Sequence, residues 1–107
     1  METGPENAAS RRPKPTWDLN LRELRVGKLV IKRFRQPATN QVAVLASIQE
    51  VRWRRRIDDP LTGNPDCEPK RRLRDTVFAL NRHHINQNVL VFEADGTGTG
   101  VIWRWHS

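Results

Sequence analysis

Two apolar, β-prone runs close the chain, residues 89–93 (VLVFE) and 101–105 (VIWRW), separated by the Gly-rich stretch 94–100 (ADGTGTG). Such runs on either side of a glycine cluster specify a hairpin with a long, mobile tip. A second hairpin signal lies near the start. Residues 22–34 (RELRVGKLVIKRF) alternate around Gly27 and Lys28, and glycine at the first central position suits a two-residue type II′ turn. Leu24 and Val26 then share one face of the first strand. On the second strand Leu29, Ile31 and Arg33 oppose Val30, Lys32 and Phe34.

Helical patterns occupy the space between the hairpins. Pro37 ends the second strand, and Thr39 or Asn40 is placed to cap a helix over about 40–52. In that helix Val44, Leu45, Ile48 and Val51 make one apolar face, while Gln41, Ser47 and Glu50 point mostly away from it. Residues 53–57 (WRRRI) suit a short strand or extended link. Asp58, Asp59 and Pro60 form a turn, and 61–69 (LTGNPDCEP) reads as a loop. The clearest element follows at 70–84 (KRRLRDTVFALNRHH), entered through Glu68 or Pro69. Leu73, Val77, Leu80 and His84 line one stripe of this helix. Arg71, Asp75 and Arg82 lie on the other side, with Arg72 and Phe78 at the edges.

The expectation is therefore an α+β chain: N-terminal hairpin, core helix, basic second helix and C-terminal hairpin. Residues 1–15 (METGPENAASRRPKP) carry no periodicity and read as a disordered arm, leaving 16–107 as one domain. Arg11, Arg12 and Lys14 are taken as a solvated cluster of that arm. Hydrophobic residues make up only 36% of the chain, so Trp17, Trp53, Trp103 and Trp105 become core candidates, each burying a large area from one position.

Charge narrows the function. Nineteen Lys and Arg against twelve Asp and Glu leave a net +7, a field that attracts polyanions. Much of it sits in residues 70–84, where five Lys or Arg face one Asp. Lys70, Arg71 and Arg72 stand near the helix start, where unpaired N–H groups and the dipole also favour an anion. A lone Cys67 forms no internal disulfide, no apolar run approaches the roughly eighteen residues of a membrane span, and the first residues lack a signal-peptide core. The expected setting is the cytoplasm, with no membrane partner.

The chemical patterns point away from catalysis. The tip DGTGTG has no following Lys and opens no helix, so it meets neither phosphate-loop nor dinucleotide patterns. His83 and His84 point about 100° apart on a helix, with no Cys or carboxylate at ligand spacing. The pair Asp58 and Asp59 sets a turn, and no Ser, Cys or Thr is grouped with a His and an acid. The expectation is a binding protein and not an enzyme, with no cofactor, metal or small-molecule substrate.

The order of elements resembles the winged-helix output domain of bacterial response regulators of the OmpR type, over about residues 19–105. LNLRELRVGKLVIKRF is similar to that family's opening strands and NQVAVLASIQ to its first helix. RRLRDTVFALNRH looks like the recognition helix, and VLVFEADGTGTGVIWRW like the wing. The family has a further helix before the recognition helix, where this sequence has LTGNPDCEP. No receiver segment accompanies the match, so no phosphorelay role carries over.

The resemblance implies a helix in the major groove of duplex DNA, a hairpin reaching an adjacent groove or phosphates, and a part in transcription regulation. The expected contacts from the helix are Lys70, Arg71, Arg72, Arg74, Asn81 and Arg82. Thr97, Gly98 and Thr99 come from the tip, and Arg52, Arg54, Arg55 and Arg56 add phosphate contacts. Arginine suits guanine edges and asparagine suits adenine. The alternative is a protein-interaction module, docking a partner through Phe78 and the C-terminal hairpin. Single-stranded RNA binding would require rings exposed on a sheet, and the tryptophans look better used as core.

Overall fold

The computed structural model describes residues 13–61 and 68–106, and its first hairpin turns at Gly27 and Lys28. Gly27 has φ +58°, Lys28 stays outside the left-handed region, and Val26 pairs with Leu29 across the two-residue turn. Only the first central residue needs positive φ, as a type II′ turn requires. The flanking strands are β2 (Glu23–Val26) and β3 (Leu29–Arg33). A strand not anticipated from the sequence, β1 (Pro15–Asp18), pairs antiparallel with β2, placing Trp17 opposite Leu24. Pro15 is tolerated as its first residue. Residues 1–12, most of the expected arm, lie outside the described residues.

β3 departs from simple alternation. Arg25 pairs with Val30 but Leu24 with Lys32, so Ile31 is an extra residue in the strand. A bulge puts neighbouring side chains on one side, and Ile31 and Lys32 are both buried rather than on opposite faces.

The chain continues through α1 (Thr39–Glu50), β4 (Arg56–Asp58), α2 (Pro69–Leu80), β5 (Leu90–Ala94) and β6 (Gly100–Trp105). The domain is α+β, with two three-stranded antiparallel sheets, ordered β1-β2-β3 and β4-β6-β5, and two helices between them. α1 packs on β1, β4 and α2, while α2 packs on β5.

Both helices differ at their ends from expectation. α1 starts after Ala38 without a side-chain cap, and Thr39 and Asn40 are already helical. It stops at Glu50 because Arg52 and Trp53 take φ of +58° and +61°, which turns Trp53 inward and leaves Val51 exposed. α2 stops at Leu80, four residues short of His84. His83 has φ +59°, and the next residues return along the open edge of β3. There the Ile85 N–H donates to the Ile31 carbonyl and the Asn86 amide to that of Val30, each at 2.7 Å. The expected loop over 61–69 lies mostly outside the described residues, with Cys67; Leu61 at its start is buried.

Leu24, Ile31, Val44, Leu45, Ile48, Leu73, Leu80, Phe92 and Val101 form the centre of the core. Trp53 meets Trp103 edge to face at 5.5 Å, and Trp17 meets Phe34 at 5.3 Å. Trp105 is only partly buried, resting on Trp103 at 5.2 Å. Gln49 joins β1 to the end of α1: its Oε1 accepts from the Trp17 N–H at 2.9 Å and the Trp53 indole at 2.8 Å.

Candidate nucleic-acid interface

α2 is amphipathic because its charged and apolar residues repeat at different phases of one helical period. Arg72, Leu73, Thr76, Val77 and Leu80 are buried. Lys70, Arg71, Arg74, Asp75 and Phe78 are exposed on the outer side, and Arg82 continues the line beyond the helix end. Arg71 reaches Asp75 at 3.8 Å with both side chains about 70% exposed, a contact too solvated to tie Arg71 down. Among the described residues neither Lys70 nor Arg74 has a carboxylate partner. Phe78 is 62% exposed, and the Arg82 guanidinium lies 5.4 Å from its ring centre.

Two expected contacts sit elsewhere. Arg72 is buried, and its Nη2 donates to the Leu61 carbonyl at 3.0 Å, fastening the approach to α2. Asn81 is bonded to β5: its Nδ2 donates to the Phe92 carbonyl and its Oδ1 accepts the Phe92 N–H, both at 2.8 Å. The bidentate edge of that amide, the one a base would need, is thus already used by β5, although Asn81 is exposed.

The β5–β6 tip is organised by Asp95. Its carboxylate accepts the Thr97 N–H at 2.9 Å, the Thr97 hydroxyl at 2.6 Å and Arg56 Nε at 2.6 Å. Hydrogen bonds from the Thr97 hydroxyl and amide, then Arg56, hold the Asp95 carboxyl down at about 2. Thr97 and Thr99 are exposed and share a 2.7 Å hydroxyl contact. Gly98, at φ +81°, lies against the stem of Lys70, so closely that a Cβ there would meet the Lys70 Cε at 2.6 Å. α2 thus lies along the hairpin, with its first turn at the tip and Asn81 at Phe92.

The arginines leading into β4 separate. Arg52 and Arg54 are exposed. Arg55 stacks over Trp103 at 4.5 Å, while Arg56 is held between Asp58 at 2.7 Å and Asp95. The link itself is fixed by the Trp103 indole, which donates to the Trp53 and Arg54 carbonyls.

Lys32 was not singled out by pattern as a site residue, and His84, expected on the apolar stripe, is partly buried. Lys32 Nζ donates to the carbonyls of Ala79 at 2.6 Å and Arg82 at 2.8 Å, satisfying acceptors freed where α2 ends. Burial, then the charge of Arg82, brings its ammonium down to about 8. His84 Nε2 contacts the Leu80 carbonyl at 2.7 Å, and burial lowers its imidazole despite that contact. The signal available was a lysine on the same alternating face as Val30 and Phe34.

Among the described residues, no three His, Cys, Asp or Glu side chains converge as a metal-ligand set, and no helix is long and apolar enough to cross a membrane. Comparison with protein-family models, curated proteins and solved structures returned no match.

Proposed function

We propose that this chain is a winged-helix-like domain that binds duplex DNA without catalysing a reaction. The outer side of α2 is the recognition surface and the β5–β6 tip is the wing. The observation that carries the reading is the contact of Lys70 with Gly98, which joins the exposed cations of α2 to the hairpin tip as one surface. Lys70, Arg71, Arg74 and Arg82 supply the helix contacts, Thr97 and Thr99 the tip, and Arg52 and Arg54 reach phosphates. Arg72, Asn81, Arg55 and Arg56 act as supports, each held by partners within the domain.

Fluorescence anisotropy with a random-sequence duplex across a salt series tests this. Affinity falls steeply with salt, because each neutralised phosphate releases counterions. Replacing Arg71 and Arg74 together by Ala weakens binding at least about tenfold and flattens the salt slope by about two. Equal binding by the double variant overturns the surface assignment. The exposure of Phe78 at the middle of the same face favours a second reading, docking of an acidic protein partner. Absence of duplex binding at low salt selects that reading.

A further inference from the structure

Between β3, the link from β3 to α1 and the turn that ends α2 lies an open pocket of about 440 Å³, a size within the range of small-ligand sites. Lys32, Arg33, Arg35, Arg82 and His83 contribute to it, with Phe34 as its aromatic wall, and no Asp or Glu lines it. Arg33 is neutralised from outside the pocket by Glu23 at 2.7 Å. Among the described residues, Lys32, Arg35 and Arg82 have no carboxylate partner.

The arrangement is held in place before any ligand arrives. Two of the three ammonium hydrogens of Lys32 are directed to the Ala79 and Arg82 carbonyls, which fixes Nζ and leaves one donor. The same bonds bring the backbone of Arg82 to β3. Like charges drawn together at a buried position repel, and burial and Arg82 together disfavour the charged form of Lys32. An anion relieves that repulsion. A tetrahedral dianion with several acceptor oxygens also matches the planar fork of a guanidinium and the point donor of a lysine.

We propose that this pocket is a phosphate-binding site, formed by Lys32, Arg35, Arg82 and His83, which adjoins the outer side of α2 and shares Arg82 with it. The phosphate belongs either to a free phosphorylated ligand or to a nucleic-acid backbone. The charged groups acting on Lys32 are Arg82 and His84 near the end of α2, and Arg33, Arg35 and His83 complete the charged lining. An added anion therefore enters a site that no acid lines, and Glu23 outside it is already occupied by Arg33 and Arg25.

Titration of the isotope-labelled protein with inorganic pyrophosphate, followed by NMR at the Lys32 side chain and the Arg35 and His83 amides, tests the site. The expected result is saturable binding with a dissociation constant below about 1 mM at low salt. The Lys32 ammonium then titrates at higher pH in the complex than in the free protein. Arg35→Ala weakens binding at least about fivefold, while Lys28→Ala, which removes the same charge at the β2–β3 turn, changes it less than about twofold. No saturation up to about 10 mM, or equal losses in both variants, overturns the proposal. Adding duplex to the saturated protein separates the sources: displacement of pyrophosphate with duplex-induced shifts at Lys32 and Arg35 identifies a backbone phosphate, and retention, or displacement without those shifts, identifies a free ligand. Pyrophosphate binding in a protein that ignores duplex supports the pocket and removes the duplex reading.

Discussion

The side-chain amide of Asn81 and the backbone of Phe92 form a closed pair, with Nδ2 donating to the carbonyl and Oδ1 accepting the N–H, both at 2.8 Å. The pair blocks the outer edge of β5 at its centre and fastens α2 to the hairpin just after the last helical residue. Asn81→Ala leaves both Phe92 groups without their partners and is expected to destabilise the domain by about 2 kcal/mol. Asn81→Asp keeps the accepted bond, loses the donated one and falls between the two. Urea unfolding of the three proteins measures the order, and an alanine variant as stable as the parent removes Asn81 from its structural role.

Lys32 makes stability depend on alkaline pH. Its ammonium titrates at about 8 in the folded domain against 10.5 for an ordinary lysine. Between those values the unfolded chain holds more protons at this position, so the contribution of this group to stability rises with pH. Lys32→Met removes that rise and also strips two helix-end carbonyls of their donor. Unfolding free energies of parent and variant from pH 7 to 11 should show a difference that grows through that window; a constant difference contradicts the assignment.

Asp95 works in the opposite pH range. Its carboxyl is held at about 2 against an ordinary 3.8, so the order it confers on the tip is complete above the ordinary value and is lost as pH falls toward the lower one. Protection of the Thr97 amide, taken against the intrinsic exchange rate at each pH, should fall across that interval. Asp95→Asn retains an oxygen for Thr97 and loses the ion pair with Arg56, while Asp95→Ala loses both. Faster exchange at Thr97 is therefore expected in the alanine variant than in the asparagine variant.

Gly98→Ala tests the contact between tip and helix. Alanine at φ +81° carries backbone strain of about 1 kcal/mol, and its Cβ displaces the Lys70 stem. Duplex affinity should fall several-fold with the fold intact by circular dichroism. Unchanged affinity would mean that the position of Lys70 beside the tip is immaterial to binding.

Local spacing alone determined much of this molecule. The turn at Gly27 and Lys28, the C-terminal hairpin, the helices near 40–50 and 70–80 and the inward stripe of Leu73, Val77 and Leu80 all follow from periodicity and turn chemistry, which act over a few residues. The tertiary structure decided what meets each face. Ile31 and Lys32 are both buried because a bulge forms where β3 is one residue longer than its partner stretch of β2. α2 ends at Leu80 although the apolar stripe runs on to His84, because Lys32 takes the carbonyls at its end, Phe92 takes Asn81, and Ile85 joins β3. Arg72 and Asn81 read as free cationic and amide groups on a basic helix, yet their partners are Leu61 and Phe92. A polar side chain finds its partner through space, across separations of eleven to fifty residues in these contacts, and periodicity carries no information about that distance.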